Sequence, residues 1–251
     1  MLRSIETINR NMNVLQKKLE NTTSNIANLN TPGYKFQDII QSTLEERQMI
    51  NHTAGPNLDQ RQEVGTFTFG NQIDQVYRNF EQGQLNQTDL PTDLAIVGNG
   101  FFVIELDGGL GFTRNGNFSI NDAGQLTTME GYPVLGLNDL NQLTPIYLEG
   151  NNFTVNSDGN ILDQDLRLAL ADFTNYQNLE TFGDTIFLAE GMDYDLIDGE
   201  VKQGFLELSN VNLVELMTSM IEISREFESN QKILNSLDET LRRAANEVGK
   251  V

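Results

Sequence analysis

The side chains that most often carry out catalysis are scarce in this sequence. The single histidine, His52, lies in a polar stretch between Asn51 and Thr53, and the chain contains no cysteine. A catalytic triad or a multi-histidine metal site would therefore have to use this one histidine, whereas an exposed loop histidine is far more common. The composition excludes disulfides, thiolate metal sites and cysteine nucleophiles, and it disfavours histidine chemistry.

Two short segments could be taken for ligand-binding loops. Residues 98–100 (Gly-Asn-Gly) lack the spacing and the following helix of a dinucleotide-binding loop, and no Gly-Lys-Ser/Thr phosphate loop is present. Residues 156–160 (NSDGN), with Asp163 and Asp165 beyond them, offer oxygen atoms at alternate positions, as a calcium loop does. Ile161 stands where an EF-hand requires glycine, so a hairpin turn is the favoured explanation. We expect no metal and no cofactor.

Carboxylates are abundant, but no two of them stand apart as a catalytic pair. The chain has 36 Asp and Glu residues against 16 Lys and Arg residues, a formal net charge of -20. Glycoside hydrolysis needs only two carboxylates, so the class is not excluded, yet nothing singles out a pair. Such an acidic surface repels nucleic acid and anionic lipid. We predict a protein without enzymatic activity, nucleic-acid partner or membrane insertion.

The acidity is concentrated in the middle of the chain. Residues 1–35 have a net charge of +3, the segment from Asn212 onward has -2, and the region between them has -21. Periodicity changes at the same places. The sequence therefore predicts four regions: an N-terminal helix with a turn (1–35), an extended connector (36–92), a β-rich domain (93–208) and a C-terminal helix (209–251).

An apolar heptad repeat runs through the N-terminal region. Seven of its eight positions are apolar and the residues between them are polar, which is typical of a helix that buries one narrow stripe. Because Pro32 moves Thr31 out of the helical conformation, we expect the helix to end near Asn30. The apolar positions, called the N-terminal seam, are Ile5, Ile8, Met12, Leu15, Leu19, Ile26 and Leu29.

A second heptad repeat occupies the C-terminal region. Nine of its ten positions are apolar, and the exception is Asn230. A lone polar seam residue can fix register and partner number, or it can mark a break where the seam opens, and both explanations stay open. The C-terminal seam comprises Leu213, Leu216, Met220, Ile223, Phe227, Asn230, Leu234, Leu237 and Leu241, with Ala244 at the last position.

Neither heptad has a partner beside it in the sequence. We expect the two helices to pack against each other, bringing the termini together, and the rest of their seams to pack on other copies. Most helical stability comes from burying such a stripe. We therefore predict that the ends are poorly ordered in the monomer and fold on assembly.

The middle region has the patterns of β-structure. Residues 93–106 (DLAIVGNGFFVIEL) give two apolar strands around a turn, and residues 118–126 and 153–161 share an Asn-x-x-Gly hairpin pattern. Further strands are predicted over 166–173, 185–189 and 204–208. The fold class is α+β: terminal heptad helices forming a coiled-coil domain, with a central, mainly-β domain folded as a sandwich or ribbon.

No targeting segment is apparent. Charges at Arg3, Glu6 and Arg10 interrupt the N-terminal region, and no stretch reaches the length of a membrane-spanning helix. The sequence alone therefore favours the cytoplasm, unless the chain is exported by a route that does not cleave its start.

Residues 24–35 (SNIANLNTPGYK) resemble the N-terminal signature of bacterial flagellar basal-body rod and hook proteins. Strings at 93–103, 112–118, 131–136 and 204–212 are similar to the same family, in the family's order. Within the first string, the residues that match the family's turn after the helix, called the signature turn, are Asn25, Asn28, Asn30, Pro32, Gly33 and Tyr34.

The resemblance implies a subunit of an axial tube in the flagellar basal body, with coiled-coil terminal helices inside and a β-rich domain outside. It implies self-assembly, contacts with other rod and hook subunits, and export by the flagellar type III apparatus, which reads an uncleaved N-terminus. Chain length and the strings at 112–118 and 131–136 favour a rod subunit over a hook subunit. Residues 216–221 favour the distal over the proximal rod type.

Three alternatives remain at this point. The chain could be a hook or hook-like axial subunit. It could be a hydrolase of cell-wall glycan, although no carboxylate pair stands out. It could be a calcium-stabilised adhesin, although only the segment from 156 to 165 offers an Asp-rich loop.

Overall fold

The structure, a computed structural model, describes residues 2–53, 60–148, 150, 153–162 and 164–248. The chain forms two compact units. The helical unit comprises residues 1–24, 37–77 and 213–251, and the β unit comprises residues 25–36 and 78–212. Two long helices lie near the ends of the chain, and nearly all the regular secondary structure described between them is strand, which confirms the α+β class.

Helices α1 (Leu2–Ala27) and α2 (Leu213–Val248) account for both heptad repeats. Helix α1 ends at Ala27 rather than near Asn30, because the chain turns immediately: the Leu29 N–H donates to the Ile26 carbonyl at 3.3 Å. Leu29, predicted as the last position of the N-terminal seam, therefore lies in a turn rather than on the helix. The helices contact each other where Asn11 Nδ2 donates to Glu226 Oε1 at 3.3 Å.

The strands of the helical unit form two-stranded ribbons. Strand β1 (Gln37–Thr43) pairs with β4 (Asn71–Arg78), and β2 (Arg47–Thr53) pairs with β3 (Gln60–Phe67) in antiparallel register with a bulge after Met49. These pairs fall in the region for which the sequence predicted an extended connector. Side chains along β4 are mostly exposed on both faces, so the sequence lacks the alternation that marks a half-buried strand.

Sixteen strands are described in the β unit, arranged in sheets and pairs. The six-stranded sheet has the order β16-β17-β8-β7-β15-β18, and the four-stranded sheet has the order β12-β11-β14-β13. Strand pairs β5–β20, β6–β19 and β9–β10 complete the unit, and every pairing described in it is antiparallel.

Some strands, such as β6 and β7, coincide with apolar runs of the sequence, whereas others are largely polar. The first eight strands are β5 (Leu85–Gln87), β6 (Leu94–Val97), β7 (Phe101–Leu106), β8 (Gly109–Thr113), β9 (Phe118–Ile120), β10 (Leu126–Thr128), β11 (Leu135–Asn138) and β12 (Leu143–Pro145). The remaining eight are β13 (Asn160–Ile161), β14 (Leu166–Leu168), β15 (Leu170–Asp172), β16 (Glu180–Phe182), β17 (Ile186–Leu188), β18 (Asp195–Leu196), β19 (Glu200–Gln203) and β20 (Phe205–Glu207). Strands predicted over 166–173, 185–189 and 204–208 are confirmed.

Strand β7 separates two apolar cores. Phe102 and Ile104 belong to one buried cluster, whereas Phe101 and Val103 belong to another. Successive side chains of a strand point to opposite faces, so a strand buried on both faces needs an uninterrupted apolar run. That requirement explains the FFVI sequence that predicted this strand.

The two predicted Asn-x-x-Gly hairpins are confirmed and share one geometry. Asn121 Oδ1 accepts hydrogen bonds from the backbone N–H groups of Ala123 (3.0 Å) and Gln125 (2.9 Å). Asn156 Oδ1 accepts from Asp158 (3.0 Å) and Asn160 (2.9 Å) in the same way. An asparagine side chain that bonds its own turn is a common stabiliser of such loops.

A third turn of the same geometry was not predicted. Asn138 Oδ1 accepts from the N–H groups of Leu140 (3.0 Å) and Gln142 (2.9 Å), and Asn141 has a positive φ of 56°. Asn141 takes the place that glycine holds in the other two turns. The Asn-x-x-Gly pattern therefore missed it, although asparagine tolerates the left-handed conformation.

Candidate functional site

The sequence contains a few candidate catalytic and metal-binding residues. Within the described part of the chain, no group of three or more His, Cys, Asp or Glu side chains could hold a metal ion. Asn156, the first residue of the suspected calcium loop, uses its side-chain oxygen to hold the hairpin turn. Asp163 lies outside the described residues.

The N-terminal seam lies on one face of α1, but few of its side chains are fully buried. Leu15 is buried, whereas Ile5, Ile8, Met12, Leu19 and Ile26 are half-buried. Val14, which the heptad pattern did not select, is also buried. At this turn of α1 the buried face is therefore wider than the narrow stripe that the heptad predicted. The adjacent apolar pair Val14-Leu15 was the sequence feature that could have predicted the wider face.

The C-terminal seam is also only partly covered. Leu216 is buried, Leu213 and Met220 are exposed, and the six remaining predicted positions are half-buried: Ile223, Phe227, Asn230, Leu234, Leu237 and Leu241. Asn230 Nδ2 is buried and has no hydrogen-bond partner among the described residues. Its two predicted explanations both remain open.

Helix α2 carries a second apolar face that the heptad pattern missed. Val214, Met217 and Ile221 are exposed to 74%, 54% and 52%, and their spacing of three and four residues places them on one side of the helix. Large apolar side chains exposed together indicate a contact surface more often than a solvated one.

The signature turn folds back on the end of α1. The Tyr34 hydroxyl donates to Asn25 Oδ1 at 3.1 Å, and both side chains are almost completely buried. The Thr31 hydroxyl donates to Asn28 Oδ1 at 3.0 Å. The turn thus joins Tyr34 with Asn25 and Thr31 with Asn28, whereas Asn30 is exposed and Pro32 half-buried.

Gly33 is the tightest point of this turn. Its N–H donates to the Glu207 carbonyl at 2.8 Å, and its φ of 71° lies in the left-handed region. A Cβ atom at this position would lie 2.3 Å from the Asn115 nitrogen. Both the conformation and the close approach of another backbone segment therefore require glycine.

A buried ion cluster lies directly beyond the turn. Lys35 Nζ is 2.6 Å from Glu207 Oε1, and an Arg114 guanidinium nitrogen is 3.2 Å from Glu207 Oε2. These three side chains are at most 4% exposed. Backbone groups complete the site: Lys35 Nζ donates to the Glu81 carbonyl, Arg114 donates to the Gly98 carbonyl, and Glu207 Oε1 accepts from an N–H at residue 83.

The electrostatics of the cluster follow from its burial. Desolvation lowers the pKa of Lys35, and the Glu207 carboxylate opposes that shift. Desolvation likewise lowers the pKa of Arg114, whose guanidinium carbon lies 5.4 Å from the centre of the Phe101 ring. Removing one member of a buried ion pair is costly because an uncompensated charge is left behind. The cluster can therefore fix geometry, while it offers no open site for a substrate.

Asn210 joins backbone segments beside the cluster and shares the Glu81 carbonyl with Lys35. Its Oδ1 accepts from the Phe36 N–H at 2.8 Å, and its Nδ2 donates to the carbonyls of Asn79 (2.8 Å) and Glu81 (3.0 Å). One amide side chain thus satisfies three backbone groups from two segments, one at Phe36 and the other at residues 79–81.

Four of the five strings that carried the family resemblance meet at this cluster. Lys35 comes from the string at 24–35, Gly98 from 93–103, Arg114 from 112–118 and Glu207 from 204–212. The sequence did not predict that they converge. A charged residue inside an apolar strand, as Glu207 is between Leu206 and Leu208, was the available signal.

Three protein-family models match the chain. Residues 9–35 match "Flagella basal body rod protein", residues 95–163 match "Flagellar hook protein FlgE/F/G D1 domain", and residues 202–247 match "Flagellar basal body rod FlgEFG protein C-terminal".

Curated relatives match over nearly their whole length. The chain is 34% identical to flagellar basal-body rod protein FlgG of Caulobacter vibrioides, covering 96% of this chain and 97% of the relative. It is 30% identical to the flagellar hook-basal body complex protein FlhO of Bacillus subtilis, covering both chains completely. Flagellar basal-body rod protein FlgF of C. vibrioides is 31% identical, with 94% of each chain covered.

The chain belongs to the flagellar basal-body rod protein family. This rod protein is accordingly a structural protein of the flagellar basal body. Relatives named FlgG and FlgF match it with similar identity, so the predicted distal subtype remains a prediction. The matched regions include Lys35 and Glu207, so the ion cluster lies within the part of the chain that the family models describe.

Proposed function

We propose that this rod protein polymerises through its terminal helices into the axial drive shaft of the flagellum. The observation that carries the proposal is the incomplete cover of α2. Apolar seam residues such as Phe227 and Leu234 are only half-buried in the single chain, and Val214 is exposed on a second face. Contacts with neighbouring copies would bury these side chains. Heterologous contacts that do not close on themselves build helical filaments.

Assembly and folding of the helices are coupled under this proposal. Buried apolar contacts supply most of a helix's stability, and α1 has few of them within the single chain. The helices are therefore poorly ordered in the isolated subunit and become ordered when a neighbour covers both seams.

The remaining predictions concern partners and destination. Copies of itself and other rod or hook subunits are the partners, and the flagellar type III apparatus exports the chain without cleaving its N-terminus. The protein acts at the basal body as the distal rod type, without enzymatic activity or a cofactor. Family membership argues against the glycan hydrolase and the adhesin.

Amide exchange tests the coupling. We expect residues 2–24 and 213–248 to exchange rapidly in the isolated protein, while Phe101–Leu106 at the centre of the β unit is protected. In assembled filaments, both helices should gain protection of about a hundredfold or more. Full protection of both helices in the dilute monomer would contradict the proposal.

Matched charge variants test the seam itself. Ile223→Asp places a carboxylate on the C-terminal seam, whereas Ser229→Asp places one on an exposed face of the same helix. We expect I223D to abolish sedimentable filaments and S229D to retain them. Equal assembly of the two variants would show that this seam is not the contact.

Because the chain carries a charge of -20, wild-type assembly should strengthen with added salt.

A further inference from the structure

An aromatic cleft in the β unit is not used by the turn, the ion cluster or the terminal helices. It lies beside the β7–β8 hairpin and has a volume of about 480 Å³, within the range of ligand-binding sites. The side chains that line it are mainly apolar, and they include Leu110, Phe112, Tyr132, Phe182, Leu188 and Tyr194.

The floor of the cleft is a fixed aromatic surface. Phe112 is buried, and its ring packs edge-on against Phe173 with the ring centres 4.8 Å apart. The ring centres of Tyr194 and Phe112 are 5.4 Å apart, and those of Tyr132 and Phe182 are 6.3 Å apart. Residue Phe182 is 45% exposed, which is unusual for a large apolar residue beside a well-packed core.

The charges around the cleft have one sign. Asp107 and Glu190 line it, both are exposed, and no Lys or Arg is among the lining residues. Aromatic faces attract cations, and carboxylates pair with them. The cleft therefore suits a ligand that combines an apolar stem with a positive head, as lysine and arginine side chains do.

The adjoining strand indicates that such a side chain would arrive on a polypeptide. Phe182 belongs to β16, which is at one edge of the six-stranded sheet, and all three residues of β16 are exposed. An edge strand offers unpaired backbone groups to which an extended segment can add. A segment lying along β16 could place alternate side chains in the cleft.

We propose that the cleft binds a lysine- or arginine-bearing extended segment of a neighbouring protein subunit. The aliphatic stem of the basic residue packs on Phe182 and Tyr194, and its head group pairs with Asp107 and Glu190. This contact is separate from the terminal helices, and it requires only a folded β unit.

Peptide titration of the isolated full-length chain, followed by ¹⁵N NMR, tests the proposal. The probe is acetyl-Val-Arg-Val-Lys-Val-amide, and its matched control replaces Arg and Lys with Glu. We expect the basic peptide to shift the amide signals of Gly108, Gly109 and Glu190 with a dissociation constant of about 1 mM or tighter. The acidic peptide should leave these signals unchanged. No shift with about 10 mM basic peptide, or equal shifts with both peptides, would overturn the proposal.

Variants separate charge recognition from general acidity. We expect Asp107→Asn with Glu190→Gln to weaken basic-peptide binding about tenfold. Asp122→Asn with Asp139→Asn removes the same charge from exposed hairpin turns and should change binding less than about twofold. Equal weakening by the two double variants would contradict a specific site. Phe182→Ala should weaken binding about fivefold, with the thermal midpoint confirming that it folds.

A final binding measurement shows whether the cleft recognises a polypeptide or only a small organic cation. N-acetyl-arginine amide should bind at least about tenfold more weakly than the peptide, because it lacks the strand contacts. Equal affinity would show that the cleft recognises a small cation and would overturn the proposed partner. Since the measurement needs no filament, either result leaves polymerisation through the terminal helices to its own test.

Discussion

In the β unit, apolar side chains fill both faces of β7 and even a lysine, an arginine and a glutamate are enclosed. In the described part of the helical unit, the fully buried apolar side chains are Val14, Leu15, Ile39 and Leu216. Both units have regular secondary structure. They differ in how much apolar surface they bury within one chain, and that burial decides whether secondary structure is stable alone.

The two units can therefore play different parts in assembly. A region that satisfies its own apolar and charged groups can keep its shape before and after assembly. A region that leaves an apolar seam half-covered can respond to neighbours.

The largest effect is expected at the ion cluster. Glu207→Ala leaves Lys35 and Arg114 buried without their carboxylate, and it should lower the free energy of unfolding of the β unit by about 3–5 kcal/mol. Urea unfolding followed by near-ultraviolet circular dichroism measures it, since the tyrosines of this unit are Tyr34, Tyr132, Tyr147, Tyr176 and Tyr194.

Glu200→Ala is the control for this prediction. Glu200 is an exposed strand residue of the same unit, and its removal should change the free energy of unfolding by no more than about 0.5 kcal/mol. Similar losses for E207A and E200A would mean that the enclosed charges do not hold the β unit together.

The next effect concerns Gly33. Gly33→Ala forces a side chain into the left-handed region and against the backbone at Arg114 and Asn115, so it should cost more than about 3 kcal/mol. Gly191 has nearly the same φ, 70°, but nothing lies within 4 Å of its Cβ position. Gly191→Ala should cost only about 1–2 kcal/mol. Thermal and urea unfolding measure the loss of stability in each variant. Equal losses would show that the close contact at Gly33 does not contribute.

A smaller effect depends on pH. Burial, followed by the hydrogen bond with Asp172, raises the pKa of Tyr176 to about 12 from 10.0. The unfolded tyrosine loses its proton near 10, whereas the folded one keeps it, so the stabilisation present below pH 10 is lost as the pH rises toward 12. Solvent screening at this partly exposed site limits the loss to about 1 kcal/mol.

Tyr176→Phe should remove this loss between pH 10 and 12. The lowered pKa of Lys35 acts with the opposite sign, raising stability as the pH approaches 10.5, but it is present in both proteins. The difference between their urea unfolding curves therefore isolates Tyr176. Tyr147→Phe, at an exposed position, should keep the wild-type pH dependence; an identical loss in Y176F and wild type would refute the assignment.

The smallest effect tests the third Asn turn. Asn141→Gly relieves a positive φ that the other two turns give to glycine, and it should raise the free energy of unfolding by about 0.5 kcal/mol. The reciprocal change, Gly159→Asn, should lower it by a similar amount, because the nearest atom lies 3.6 Å from the Cβ position there. Differential scanning calorimetry can resolve both, and destabilisation by N141G would show that the three turns are not equivalent.

Local patterns predicted much of this fold. The apolar run at residues 101–104 predicted a strand buried on both faces, and Asn-x-x-Gly predicted the turns at Asn121 and Asn156. The turn at Asn138 was not predicted because asparagine stands in the place of glycine. The two-stranded ribbons were not predicted because a strand exposed on both faces, such as β4, has no apolar alternation.

The candidate site was predicted as separate strings but not as one cluster. Lys35 and Glu207 are 172 residues apart, and no periodicity connects such distant positions. The heptads predicted the half-buried faces of the helices, but they did not select Val14 or the exposed Val214, because neighbours outside a strict repeat do not enter that pattern.

The pairing of Lys35 with Glu207 also sets an order of events. When the chain emerges N-terminus first, from a ribosome or a channel, Gly33 and Lys35 appear long before the strand that receives them. The turn cannot close until β20 has followed, and contacts between such distant residues form slowly. The turn at Gly33 therefore closes only after residues 1–207 are all present, whereas the residues of α2 are not needed for it.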